Sequence, residues 1–179
     1  MAHDPLSHHS HAGSHHEHKA HAPASVACFV VTSSDTRDPK SDESGALIES
    51  LLVAAGHTVV KRVIIKDEPA QLLPIVKGEA QQAGARALII SGGTGLGRRD
   101  TTVETLAPLF EKRLDGFGEL FRALSYQEIG SAAMMSRAVA GSIGQLVVFA
   151  LPGSPAAARL ALERLILPEL GHAVREMTR

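Results

Sequence analysis

Three short, unbroken apolar runs constrain this chain more than anything else in it. They lie in Ser25–Thr32, Arg86–Ser91 and Gln145–Leu151. A strand with one wet face alternates apolar and polar residues, so an unbroken run of this length reads as a strand covered on both faces. Helical patterns lie between the first two. Asp42 stands at an N-cap position, Leu47, Ile48, Leu51 and Leu52 follow at helical spacing, and Gly56 marks the stop. His57–Ile65 is rich in β-branched residues, Lys66-Asp67-Glu68-Pro69 is a turn, and a second helix spans 70–84. The order β-α-β-α-β predicts an α/β fold, a three-layer sandwich with a mainly parallel central sheet. Beyond it, weaker helices are expected at 103–113, interrupted by Pro108, and at 118–129. A last helix from Ala156 toward Met177 should bend or restart at Pro168.

Composition narrows the function classes. Apolar residues are 44% and charged residues 21% of 179, which suits a globular chain. A net charge of -1 gives no basic excess for nucleic acid, and 3% aromatics give no base-stacking platform. No apolar run reaches the roughly 18 residues of a membrane span. The single cysteine, Cys28, excludes a disulfide framework and reads as inert packing inside its strand. Eight of the ten histidines fall at or before His21, in a stretch almost without large apolar residues. Residues 1–24 are therefore expected to be a disordered His-rich tail and 25–179 one domain. The tail reads either as a tract with weak zinc, nickel or copper affinity or as a solubilising or purification remnant. It lacks the apolar stretch of a signal peptide, so a cytoplasmic location is expected.

The three buried strands all end in small polar turns: Thr32-Ser33-Ser34-Asp35, Ser91-Gly92-Gly93-Thr94 and Leu151-Pro152-Gly153-Ser154. In a parallel sheet these turns share the carboxyl edge, where α/β proteins bind ligands. Gly92, Gly93, Gly95 and Gly97 let backbone N–H groups approach an anion, and Arg98-Arg99 lie beside them. No Gly-Lys-Ser/Thr follows, so this is not a Walker A loop, and Arg98 stands where a dinucleotide fingerprint needs its third glycine. The loop reads equally as a tight strand-to-helix turn. Asp100 precedes Thr101 and Glu104, which form a capping box, and Asp67 is a turn residue. Both aspartates follow predicted strands, however, and could face one pocket. Two carboxylates opposite backbone donors suit magnesium-assisted chemistry on a phosphate. Ser136-Arg137 reads by itself as a turn with a surface arginine, and His57 and His172 as structural.

Taken in order, Ser91-Gly92-Gly93-Thr94-Gly95, Arg99-Asp100 with Thr102 and Glu104, Gly116-Phe117-Gly118-Glu119 with Phe121-Arg122, Ser136-Arg137-Ala138 and Pro152-Gly153-Ser154-Pro155 resemble the MoaB/MogA family of molybdenum cofactor biosynthesis. The gephyrin G domain is of the same group. Asp35, and Asp42 with Ser44-Gly45, resemble that family's first loop and helix. The resemblance spans about residues 25–175. It implies a molybdopterin-binding fold, a homotrimer, and adenylylation of molybdopterin by ATP and Mg²⁺ with release of pyrophosphate. It also implies that the product passes to a separate molybdenum-inserting protein. By motif match Asp67 and Asp100 are the catalytic and metal-holding residues. The remaining matched positions would bind substrate: Ser91, Gly92, Gly93, Thr94, Gly95, Arg99, Ser136, Arg137, Pro152, Gly153 and Ser154. Phe117, Leu120, Phe121 and Leu124 form an apolar set with few local partners, expected to help form the trimer interface. The competing readings are a nucleotide-amide hydrolase of the related competence-damage-inducible proteins, whose glycine loop differs, and a non-catalytic pterin-binding or scaffold paralogue.

Overall fold

Each of the three apolar runs is a strand, and each sits between two layers of helix. The computed structural model describes residues 23–178; the histidine-rich stretch up to residue 22 lies outside them. Strand β1 is Ala27–Ser33, β2 Thr58–Ile65, β3 Ala87–Ser91, β4 Lys112–Arg113, β5 Val139–Ile143 and β6 Leu146–Leu151. Helix α1 is Glu43–Ala54, α3 is Thr102–Leu106 and α4 is Asp115–Ile129. Helix α2 consists of Pro69–Pro74, a wider π turn Ile75–Glu79, and Ala80–Gln82. Helix α5 is likewise Pro155–Ala161, a π turn Leu162–Ile166, and Leu167–Met177.

The sheet order is β2-β1-β3-β6-β5-β4, parallel from β2 to β6 and antiparallel at β5 and β4. Alternate residues of the buried strands feed two cores, which explains their unbroken apolar character. Cys28, Val30, Ile89 and Phe149 face α1, α4 and α5, where they meet Ile48, Leu52, Phe121, Leu162 and Ile166. Phe29, Val31, Leu88 and Val148 face α2 and α3, meeting Leu72, Val76 and Leu106. The three layers are thus two helical sheaths about one mostly parallel sheet.

The predicted helix at 103–113 stops early: a 3₁₀ turn, Ala107–Leu109, follows α3, and Lys112-Arg113 become the short edge strand β4. Strand β5 gave no apolar signal, because Ala140, Gly141 and Ser142 are small; its strand state comes from pairing with β6. Helix α5 does not restart at Pro168. Its π turn lies just ahead, with Leu167 N–H donating to Leu162 O, and the chain stays helical to Met177. The apolar set of α4 is also corrected. Phe117 and Phe121 point inward, Phe117 packing edge-on against Phe149 at 5.3 Å between ring centroids, and Leu124 packs against the same core. Leu120 alone of that set stays largely outside. Among the described residues no helix is long and apolar enough to cross a membrane.

Candidate functional site

The carboxyl ends of β1, β3 and β6 stand side by side, with Thr32 opposite Ser91 and Ser91 opposite Leu151. Their three turns therefore meet. The contact is close because glycine permits it. Gly92 donates its N–H to Leu151 O at 3.0 Å and sits directly against Ser33 O, and a Cβ on Gly153 would lie 3.3 Å from Gly92 Cα. Gly93 adopts φ of 64°, and a Cβ there would collide with Asp67 Oδ1 and Thr102 Oγ1. A Cβ on Gly95 would lie 2.7 Å from Asp100 Oδ2. Both aspartates thus lie against one glycine turn, on one edge of the sheet.

Asp67 follows β2 and accepts a hydrogen bond from Ser33 Oγ at 2.6 Å. Burial pushes its carboxyl above the ordinary range, Ser33 pulls it back, and the nearby charges of Asp35 and Asp100 push it further up. Asp100 Oδ2 accepts from Gly97 N–H at 2.7 Å. The capping box is not made: Thr101 caps nothing with its side chain, and Glu104 pairs with Arg137 instead. That pairing holds the Glu104 carboxyl below its usual range.

Beside the aspartates is a cavity of about 320 Å³ lined by Gly92, Gly93, Thr94, Gly95, Asp100, Met135, Ser136, Pro152 and Gly153. Among the described residues no acceptor takes the N–H of Gly93, Thr94 or Gly95. Three successive unengaged N–H groups at a cavity wall suit an anion. A second cavity, about 540 Å³, is lined by Ser34, Asp35, Arg37, Asp38, Pro39, Arg62, Ile64, Ile65, Lys66 and Gln71. Arg37 links the two, reaching Gly153 O with Nη2 at 3.5 Å.

Four residues expected on substrate are placed otherwise. Ser91 is fully buried, its hydroxyl without a partner among the described residues, because it ends a strand that lies under helices on both faces. Arg99 turns to Asp35, with Nε and Nη2 each at 2.9 Å. Arg137 lies under the glycine turn and donates from Nε to Thr94 O at 3.0 Å. Ser154 caps α5 by accepting from Ala157 N–H at 3.2 Å, and lines a groove between α4 and α5 that adjoins the glycine cavity through Met135, Ser136 and Pro152. The residues missed as site components are Arg37 and Met135, together with the role of Asp35 and the bond from Ser33 to Asp67. The small polar turn after β1 was the signal for Ser33 and Asp35, and Met135 had none beyond standing next to Ser136.

The aspartates fit a magnesium ion. Among the described residues no three His, Cys, Asp or Glu side chains group to hold a metal unaided. Magnesium needs no such cage, since it keeps waters and takes one or two carboxylates plus substrate phosphates. The charges of Asp35 and Asp100 both disfavour the Asp67 carboxylate, the kind of field a cation relieves.

Residues 28–172 match the family described as a probable molybdopterin binding domain. Molybdenum cofactor biosynthesis protein B of Bacillus anthracis is 48% identical over 164 residues, covering 91% of this chain and 97% of that protein. The Bacillus subtilis protein of the same description is 50% identical over 162 residues, covering 90% and 95%. Among solved structures, the tungsten cofactor synthesizing protein MoaB of Pyrococcus furiosus superposes with a TM-score of 0.80 at 40% identity, covering 88% of this chain and 100% of that one. With this geometry and these relatives, the chain belongs to the molybdopterin-binding MoaB/MogA family of molybdenum cofactor biosynthesis proteins.

Proposed function

We propose that the protein adenylylates molybdopterin: a terminal phosphate oxygen of the pterin attacks the α-phosphorus of ATP, the bond to the bridging oxygen breaks, and pyrophosphate leaves. The observation that carries this reading is the seating of Asp67 and Asp100 against one glycine turn whose N–H groups at Gly93, Thr94 and Gly95 are unengaged. Those N–H groups, with the hydroxyls of Thr94 and Ser136, would receive the pterin phosphate. Asp67 and Asp100 would hold Mg²⁺, which when bound neutralises charge on the ATP phosphates. Phosphate transfer of this kind needs positioning and charge neutralisation, with no covalent help from the protein. Two reactants need two spaces, and the presence of two cavities joined by Arg37 supports the reading.

The same reading includes a cytoplasmic homotrimer that hands its product to a metal-inserting protein. Leu120, Tyr126, Ile129 and Met134 remain exposed on and after α4 and would be covered in such an assembly, which sedimentation at micromolar concentration tests. Residues 1–24 would be a tail outside the catalytic domain.

The deciding experiment gives purified protein ATP, Mg²⁺ and molybdopterin and measures adenylylated molybdopterin. Asp100→Asn keeps an oxygen to accept the Gly97 N–H, so the fold should hold while the rate drops about a hundredfold or more. Molybdopterin affinity should survive, because the glycine N–H groups are untouched. Full activity in that variant would remove Asp100 from the catalytic residues, and binding of molybdopterin without any ATP turnover in the wild type would leave a non-catalytic pterin-binding protein as the better description.

A further inference from the structure

Three loops converge on Asp35, a residue that touches neither Asp100 nor the glycine cavity. Asp35 lies in the loop after β1, Asp67 and Glu68 in the turn after β2, and Arg99 in the glycine segment after β3. Arg99 grips Asp35 with a two-pronged bond, Nε to Oδ2 and Nη2 to Oδ1, both at 2.9 Å. The backbone N–H of Asp67 donates to the same Oδ1 at 3.3 Å. Glu68 Oε1 adds a longer ionic contact, 3.6 Å from Arg99 Nη2. One carboxylate therefore holds the backbone of Asp67 and the side chain immediately before Asp100.

The glycine segment needs such a hold. Its near end is tied down, with Thr102 Oγ1 donating to Gly92 O, Thr102 N–H to Gly93 O, and Arg137 to Thr94 O, each at 3.0 Å. Its far half, residues 95–100, bonds mainly to itself: Gly97 N–H donates to Asp100 Oδ2, and Asp100 N–H donates to Gly97 O. Among the described residues the only hydrogen bonds or ion pairs from this half to the rest of the protein are those of Arg99 to Asp35 and Glu68. Ion pairs as open to solvent as this one add little to global stability. What a two-pronged guanidinium–carboxylate bond does supply is direction, because the planar fork accepts one orientation.

We propose that Asp35 and Arg99 form a latch that sets the position of Asp100 relative to Asp67. The latch rests on the reading that these two aspartates act together on one phosphate centre. Arg99 is then a positioning residue whose guanidinium is committed to protein, and Asp35 is the post it is tied to.

The test uses Asp35→Asn, Arg99→Gln and the double variant Asp35→Asn/Arg99→Gln in the full chain. Amide hydrogen exchange of the ligand-free protein should speed up about tenfold or more at the hydrogen-bonded amides of this half, Gly97 and Asp100, in each variant, with the buried strands unaffected. The melting temperature should move by no more than about 2 °C. In the adenylylation assay kcat should fall about tenfold or more and KM for Mg·ATP should rise, as expected for a displaced catalytic group. The Kd for molybdopterin, seated mainly on Gly93 and Thr94 of the tethered near end, should stay within about twofold of wild type, a split that general unfolding would not give. The double variant should be no worse than the worse single variant, since both break one link. Unchanged exchange at Gly97 and Asp100 overturns the latch, whatever the enzyme does. Faster exchange with unchanged kcat overturns its positioning role, and additive losses in the double variant do the same. A wild type that forms no adenylylated product counts against the proposed reaction, while the exchange result still decides the latch.

Discussion

Replacing Gly93 by alanine should damage fold and activity together, by an amount the geometry sets. A Cβ at this position would come closer than 3.0 Å to both Asp67 Oδ1 and Thr102 Oγ1. Neither oxygen can step aside freely, since the first is bonded to Ser33 Oγ at 2.6 Å and the second to Gly92 O at 3.0 Å. Forcing a non-glycine residue into a left-handed backbone costs about 1–2 kcal/mol. Losing the two hydrogen bonds adds about 1 kcal/mol each, so the whole penalty is about 3–4 kcal/mol. For a domain of this size that lowers the melting temperature by about 10 °C. Moving the Asp67 carboxylate by about 1 Å should slow adenylylation about a hundredfold. Gly84→Ala is the control: its φ is also positive, at 83°, but nothing lies within 4 Å of the added carbon. It should show the backbone strain alone, about 4 °C, with normal activity. Scanning calorimetry and the product assay on both variants decide the matter. If Gly93→Ala melts with Gly84→Ala and keeps its rate, the close approach of Gly93 to Asp67 is not what shapes the site.

Asp67→Asn should stabilise the metal-free protein near neutral pH. A carboxyl whose folded pKa is raised above the ordinary 3.8 favours folding when protonated, and that contribution is lost as pH rises through the folded value. The amide removes the ionised group's burial and repulsion, so the gain in melting temperature should vanish below about pH 3; a gain that grows toward acid would contradict the sign. Deleting residues 1–23 should leave melting temperature and activity nearly unchanged, checked on the truncated protein in metal-free buffer. Any zinc or nickel binding in titration calorimetry should go with the deleted histidines. Cys28 is buried and its thiol is pushed up to about 12 by that burial, so a thiol-specific reagent at pH 8 should react only after denaturation.

The sequence by itself determined the layers and the edge at which a site could form. Unbroken apolar runs and the small polar turns behind them are local facts, and strand burial and turn chemistry follow from local residues. That is why β1, β3 and β6 could be read directly, and why Asp67 and Asp100 were placed in loops after strands. Tertiary structure alone decided what no local pattern encodes. Val139–Ile143 is a strand only because β6 offers it a partner, and Phe117 and Phe121 face inward only because Phe149 and the sheet lie beneath α4. Ser91 became a buried support and Arg99 a tie to Asp35, although both stand inside motifs that read as ligand contacts. The physical reason is reach. An arginine beside a glycine turn can grip a phosphate or a carboxylate, and which one it finds depends on a loop 64 residues away in sequence, brought alongside by the pairing of β1 with β3.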